Sequence, residues 1–299
     1  MKETLSLPRA QECYGLWTPF LLAVEGGSVA VRDLGRGPPV LLLHGISADH
    51  SEWHAVAADL SIDHRVVLPD LLGRGASVPD AGSGFSLDEE CGRIRALLAR
   101  LAIDAPLVAG HSHGASLALA LTRQTRVSGL LLVSPVTPWT QRPRILDLLA
   151  SRLVRRGAEP LLRTCRRPLT RYILTRRVYG KRPPRLAEAV ERYSRPYAEP
   201  ARALALLRIL RDWRPAETLG MRPPAGVPVA VLAGGADRRI PAAEARRWAA
   251  CLDAPCTVVE GAGHGLTEEA PERVAAALRE LGREVSASNQ EREGDEHQE

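Results

Sequence analysis

An open α/β architecture, with a mainly parallel sheet and helices on both faces, is expected from three observations on this 299-residue chain. Short apolar runs of strand length alternate with helical patterns, the rhythm of βαβ units. Several runs, such as 39–43 and 127–133, are continuously apolar rather than alternating, as strands buried on both faces are. The third is Gly110-His111-Ser112-His113-Gly114, which follows the apolar run 107–109 and opens the helix-forming run 115–121. A strand, a sharp turn and a helix are thereby brought together around one serine.

Taken in order, residues 1–16 read as a loosely attached arm. The apolar runs 19–25 and 28–34, joined by Gly26-Gly27, read as a β-hairpin. Residues 39–43 follow as a buried strand, and 51–60 has helical spacing with Trp53, Val56, Ala57 and Leu60 on one face. The strand 65–69 leads into the glycine-rich turn Asp70-Leu71-Leu72-Gly73-Arg74-Gly75-Ala76-Ser77. Ser86 and Glu89 form a capping box that opens a helix to about Leu101. The serine-bearing strand and helix come next, then the strand 127–133. After Ser134-Pro135 the rhythm breaks. Residues 139–214 hold Arg-rich, Leu-spaced helical segments separated by Pro143, Pro160, Pro168, Pro183-Pro184, Pro196 and Pro200, with Pro215 just beyond. This stretch reads as an inserted helical subdomain. Alternation resumes with a strand at 227–233, a helix at 241–251, a strand at 256–260 and a helix at about 271–282. The polar tail 284–299 has no large apolar residue beyond Val285 and reads as disordered.

Composition narrows the class. Hydrophobic content of 45% and charged content of 25% are ordinary for a soluble globular protein, and with only 4% aromatics the core rests on Leu, Val and Ala. The amino terminus has no apolar signal-peptide core, and no apolar run approaches the roughly 20 residues of a membrane span. Five cysteines, an odd and scattered number without a C-x-x-C pair, argue against a disulfide framework or zinc site, so a cytoplasmic location is expected. The formal charge is +5, and it is unevenly placed: residues 139–214 carry 20 basic and 6 acidic side chains, so the remainder is net acidic. That stretch has no nucleic-acid reader motif or interleaved aromatics, so no nucleic-acid partner is expected and amphipathic helices with solvated arginines are the reading.

The serine stretch carries the chemistry. G-x-S-x-G is the pattern of a nucleophile elbow, in which glycines let strand and helix approach closely and lift the serine hydroxyl clear of the backbone. A serine hydroxyl is a poor nucleophile until a base takes its proton, and the base needs an acid to fix its tautomer. With such an elbow the partners follow in the order serine, acid, histidine. Downstream of the elbow only His264 and His297 remain, and His297 lies in the polar tail. His264 sits in Glu260-Gly261-Ala262-Gly263-His264-Gly265, directly after the last expected strand, and is the expected base. This glycine run lacks the spacing of a dinucleotide loop. Asp237 follows the apolar run 229–233, at the strand edge where chemistry in open α/β sheets collects, and is the expected acid. Asp253 precedes its strand, and Asp70 precedes Ser112 and reads as the organiser of its glycine-rich turn. An oxyanion hole is also needed, since each donor typically contributes about 2.7–4 kcal/mol. The His113 amide is one expected donor. The Ile46 amide in His44-Gly45-Ile46-Ser47 is the other, with Gly45 letting the backbone turn inward. His44 is expected to brace that loop, His111 to diverge from the serine, and His113 to reach the pocket wall.

In order and spacing, His44-Gly45, Asp70…Gly73…Gly75…Ser77, Gly110-His111-Ser112-His113-Gly114, Gly235…Asp237 and Gly263-His264 resemble the α/β-hydrolase superfamily over residues 17–283. The resemblance implies an α/β-hydrolase fold: a mainly parallel eight-stranded sheet flanked by helices, its core at 17–137 and 216–283, with an inserted helical cap at 138–215. It implies a serine hydrolase, carboxylesterase- or lipase-like, that forms an acyl-enzyme on Ser112 and needs no metal or organic cofactor. Members commonly carry Met or Gln where this chain has His113. A serine at the elbow argues against the dehalogenase and epoxide-hydrolase branches, which use Asp there. C–C bond hydrolases, thioesterases and cofactor-free haloperoxidases share the triad, and a non-catalytic scaffold on this fold is a further reading. The expected substrate is a small or medium, partly apolar ester, touched by His44, Gly45 and Trp139. In the cap, Ile145, Leu148, Leu149, Leu153 and Val154 either pack on the sheet domain or line an acyl pocket. Neighbouring Arg152, Arg155 and Arg156 would attract an anionic substrate or a phospholipid surface.

Overall fold

A computed structural model describes residues 17–180 and 186–296. The arm expected over 1–16, Pro183-Pro184 and His297 lie outside the described residues. Strands β1 (Phe20–Val24) and β2 (Gly27–Leu34) form the expected antiparallel hairpin, and β2 also pairs antiparallel with β4 (Arg65–Pro69). From β4 onward every pairing is parallel, through β3 (Pro39–Leu43), β6 (Leu107–His111), β7 (Gly129–Val133), β8 (Val229–Gly234) and β9 (Cys256–Val259). The order is β1-β2-β4-β3-β6-β7-β8-β9, and the two-residue β5 (Val78–Pro79) pairs with β2 as a ninth strand. So short a strand has no apolar run to announce it.

Each central strand feeds two cores. In β3, Leu41 and Leu43 point to one face, with Ile94, Leu97, Leu117 and Trp248; Val40 and Leu42 point to the other, with Trp53, Leu60, Val274 and Leu278. At about 1.5–3 kcal/mol per fully buried aliphatic side chain, this two-sided burial explains the unbroken apolar runs. The first face is covered by α2 (Leu87–Arg100), α3 (His113–Leu121) and α7 (Ala242–Cys251). The second is covered by α1 (His54–Leu60), α8 (Leu266–Glu269) and α9 (Pro271–Glu296). Ser86 and Glu89 make the capping box at the start of α2. The helix expected over 51–60 is divided: a 3-10 turn, His50–Trp53, precedes α1.

Two expectations are corrected here. The prolines of the insertion do not all interrupt it: α4 (Arg152–Ile173) runs through Pro160 and Pro168. Each removes a backbone hydrogen bond, but contacts with α5 (Leu186–Ser194) and α6 (Pro200–Asp212) hold the long helix together. The tail expected to be disordered at 284–299 is helical as far as Glu296, as the continuation of α9. Extending a formed helix needs no new nucleus, and this proline-free stretch with Glu284, Glu291, Glu293 and Glu296 allows propagation. Among the described residues no helix is long and apolar enough to cross a membrane.

Candidate active site

Three strands deliver the site. Ser112 follows β6, Asp237 follows β8 and His264 follows β9, all at the carboxyl edge of the parallel sheet. Ser112 links β6 to α3 with φ 54° and ψ −115°, an unusual conformation for a side chain with a Cβ. It costs on the order of 1–3 kcal/mol and persists where the surroundings over-determine it. Those surroundings are visible. A Cβ at Gly110 would overlap the Gly114 carbonyl, and one at Gly114 would overlap the Leu43 carbonyl. The Ser112 amide donates to the Val133 carbonyl at 3.0 Å, tying the turn to the next strand.

Ser112 Oγ lies 2.9 Å from His264 Nε2, and His264 Nδ1 lies 2.8 Å from Asp237 Oδ2. All three residues are buried. The other carboxylate oxygen of Asp237 accepts from the Arg239 amide at 2.7 Å and the Ile240 amide at 2.9 Å. Burial opposes ionisation of Asp237, but the His264 ring and these two amides outweigh it and hold the carboxyl below its usual range. For His264 burial dominates over the attraction of Asp237, so its pKa is lowered. The lowered pKa favours the neutral imidazole, and because the Asp237 carboxylate can only accept, the ring proton belongs on Nδ1 and the Nε2 lone pair faces the serine.

Behind this chain lies a buried network that the sequence did not announce. His111 does not simply diverge: Nδ1 meets Glu52 Oε1 at 3.0 Å and Nε2 meets the His264 carbonyl at 2.8 Å. Burial disfavours charge on His111, but Glu52 overrides it and raises the pKa. Glu52 also accepts the Gly45 amide at 2.8 Å, so one carboxylate links the Gly45-Ile46 loop to the back of the His264 loop. On the other side, His113 Nε2 meets Glu90 at 2.8 Å, and Glu90 pairs with the fully buried Arg74. Arg74 Nε in turn donates to the Ile46 carbonyl at 3.1 Å. The insertion clasps the histidine loop: the His264 amide donates to the Val178 carbonyl at 2.6 Å, and the Gly180 amide donates to Glu269 at 2.9 Å.

A cavity of about 120 Å³ opens beside Ser112, lined by Gly45, Ile46, His111 and His264 from the sheet domain and by Leu169, Ile173 and Leu206 from the insertion. A wider one, about 990 Å³, lies against His264 and carries several arginines. Gly45 therefore sits where a substrate contact was expected, but two other expectations are corrected. His44 is buried away from both cavities: Nε2 accepts the Leu71 amide at 2.8 Å and Nδ1 donates to the Gly45 carbonyl at 2.8 Å. Its ring is consumed by bracing the loop. Trp139 also lines neither cavity, because the Arg247 guanidinium stacks on it 3.8 Å from the ring centre and its body packs against the core. Asp70 organises its turn, accepting the Ala76 amide at 2.9 Å and an Arg32 nitrogen at 3.2 Å. Asp70, His50 and Asp49 bring potential metal-ligand atoms within 4.8 Å of one another, but Asp70 already accepts from Arg32, the Ala76 amide, the His50 backbone amide and His50 Nδ1.

A family model described as the alpha/beta hydrolase family matches residues 40–277. An uncharacterized protein of Mycobacterium tuberculosis is 36% identical over 113 residues, 37% of this chain and 33% of that protein, so the match spans about a third of that relative's length. A magnesium-chelatase 30 kDa subunit of Rhodobacter capsulatus is 28% identical over 214 residues, 69% of this chain and 73% of that one. Among solved structures, an alpha/beta hydrolase fold protein from Burkholderia ambifaria is similar with a TM-score of 0.73 and 25% identity, over 87% of this chain and 96% of that one. With the family model matched across residues 40–277 and the sheet order described above, the chain belongs to the alpha/beta hydrolase family.

Proposed function

We propose that the chain is a serine hydrolase, carboxylesterase- or lipase-like, that cleaves esters of small or medium, partly apolar substrates through an acyl-enzyme on Ser112. The observation that carries this reading is the continuous hydrogen-bond chain from Ser112 Oγ through His264 to Asp237, opening on an apolar cavity. In the proposed cycle His264 Nε2 takes the hydroxyl proton as Oγ attacks the ester carbonyl. The Ile46 and His113 amides receive the negative charge that develops on the carbonyl oxygen. His264 then returns its proton to the departing alkoxide, and water repeats the sequence on the acyl-enzyme while Asp237 stabilises the imidazolium. Helices α4 to α6 act as the cap, with Leu169, Ile173 and Leu206 against the acyl group.

Cavity size sets an expectation for chain length. An apolar cavity of about 150 Å³ accommodates benzene, so about 120 Å³ suits an acyl group of roughly four to six carbons. Hydrolysis of p-nitrophenyl esters from acetate to palmitate, by wild type and Ser112→Ala, tests both points. Maximal kcat/KM at about four to six carbons, and a loss of at least about 10⁴-fold in the variant, are expected. A wild type inactive on every chain length, with Ser112 unreactive toward a fluorophosphonate, would refute the reading.

A further inference from the structure

We propose that the wide cavity against His264 is a leaving-group subsite for an anion, a carboxylate or phosphate carried on the alcohol half of the ester. The proposal rests on the ester-hydrolase reading and adds the chemistry of the alcohol. The two cavities meet at His264 and Arg239, which line both, whereas Ser112 lines only the smaller. In acyl transfer the carbonyl carbon sits on the serine, and the leaving oxygen is the atom to which the histidine returns a proton. The alcohol half therefore belongs on the His264 side, and that side is the wide cavity of about 990 Å³.

Its wall is cationic. Arg142, Arg144, Arg177, Arg238 and Arg239 line it, and among the described residues no Asp or Glu does. They converge from three separate stretches: the entry to the insertion, the turn after α4 and the loop after Asp237. Arg142 is held by Asp147 and by the carbonyls of Leu210 and Arg211. Arg144, Arg177 and Arg238 form no ion pair among the described residues and Arg239 feels the charge of Asp237 without a direct ion pair, whereas Arg32, Arg65 and Arg279 each pair with an aspartate. Like charges gathered round a concavity repel one another and create a positive potential that an anion relieves. The guanidinium fork matches carboxylate and phosphate oxygens, which selects this class over a neutral alcohol. Trp213 and Leu210 supply an apolar wall, and the Trp213 indole N–H has no acceptor among the described residues.

The test is direct binding, which does not require turnover. Phenyl phosphate and benzoate are titrated calorimetrically into wild type, an Arg144→Gln/Arg177→Gln double variant and Arg238→Gln, at low and raised KCl. Single-site binding to wild type is expected. It should weaken at least about tenfold in the double variant and fall with salt, as charge-assisted contacts do. Arg238→Gln gives an independent reading if the double variant is poorly folded. Binding of both anions marks a general anion site, and phenyl phosphate alone marks a phosphate site. Absence of binding by either, or affinities unchanged by the substitutions, would overturn the proposal. Anion binding without turnover of any ester would overturn the ester-hydrolase reading and with it the leaving-group role, leaving only an anion site, whereas turnover of neutral esters without anion binding would overturn the subsite alone.

Discussion

Replacing Asp237 by Asn probes the link between hydrogen-bond geometry and the tautomer of His264. One Asp237 oxygen faces the Arg239 and Ile240 amides at 2.7 and 2.9 Å, and the other faces His264 Nδ1 at 2.8 Å. An asparagine has one oxygen for these two places. Turning its NH₂ toward the backbone would set it against two N–H donors, at about 1–3 kcal/mol for each donor left unsatisfied. The oxygen therefore stays with the amides and the NH₂ faces His264. Nδ1 must then accept, which moves the ring proton to Nε2, and the histidine presents a donor where Ser112 needs a base. A tautomer error of this kind lowers kcat by about 10⁴, or about 5.4 kcal/mol of transition-state stabilisation. The near-identical shape of the side chain should leave the fold intact. The assay is kcat for p-nitrophenyl butyrate, with thermal denaturation as the control for folding. A folded variant within tenfold of wild-type kcat would refute the reasoning.

Two further predictions concern charge. Burial depresses the His264 pKa, and the protonated ring cannot accept the serine proton, so kcat/KM should be flat near neutrality and fall only as pH drops through a pKa below 6.5. A half-point above 6.5 in the kcat/KM–pH profile would contradict that. Glu90 is buried, which opposes ionisation, yet Arg74 and His113 hold its pKa down to about 2. Its contribution to stability is thus present above the usual 4.5 and lost as pH falls toward 2. Glu90→Gln leaves the Arg74 charge buried and unpaired and should cost about 3–5 kcal/mol in urea denaturation; a loss under about 1 kcal/mol would show that the Arg74–Glu90 pair does not hold this network together.

The sheet and the serine turn were legible because local pattern and global placement coincide. The run Val40-Leu41-Leu42-Leu43 is apolar on both faces since each face meets a different core. Gly110 and Gly114 are required by carbonyls they would otherwise strike. His264 and Asp237 could be named because few histidines follow the elbow and one acid follows the right strand. What escaped depends on contacts between distant residues. Glu52 sits in an amphipathic stretch where nothing marks it as the partner of His111, 59 positions away. Glu90 reads as one acid among several at the start of α2, yet it joins Arg74 to His113. Trp139 looks available in sequence and is occupied by Arg247. The clustering of arginines along 139–214 was visible, but not that Arg142, Arg144 and Arg177 meet Arg238 and Arg239 around one cavity. The helical tail shows the opposite limit: its polarity argued against a core, and helix propagation needs none.

The central claim is a covalent bond to Ser112. Peptide-mapping mass spectrometry of the protein after reaction with a fluorophosphonate, and after acid quench during turnover of p-nitrophenyl butyrate, tests it most directly. One adduct per chain on the peptide containing Ser112, absent from Ser112→Ala, is the predicted result. An adduct on another residue, or ester turnover that persists in Ser112→Ala, would contradict it.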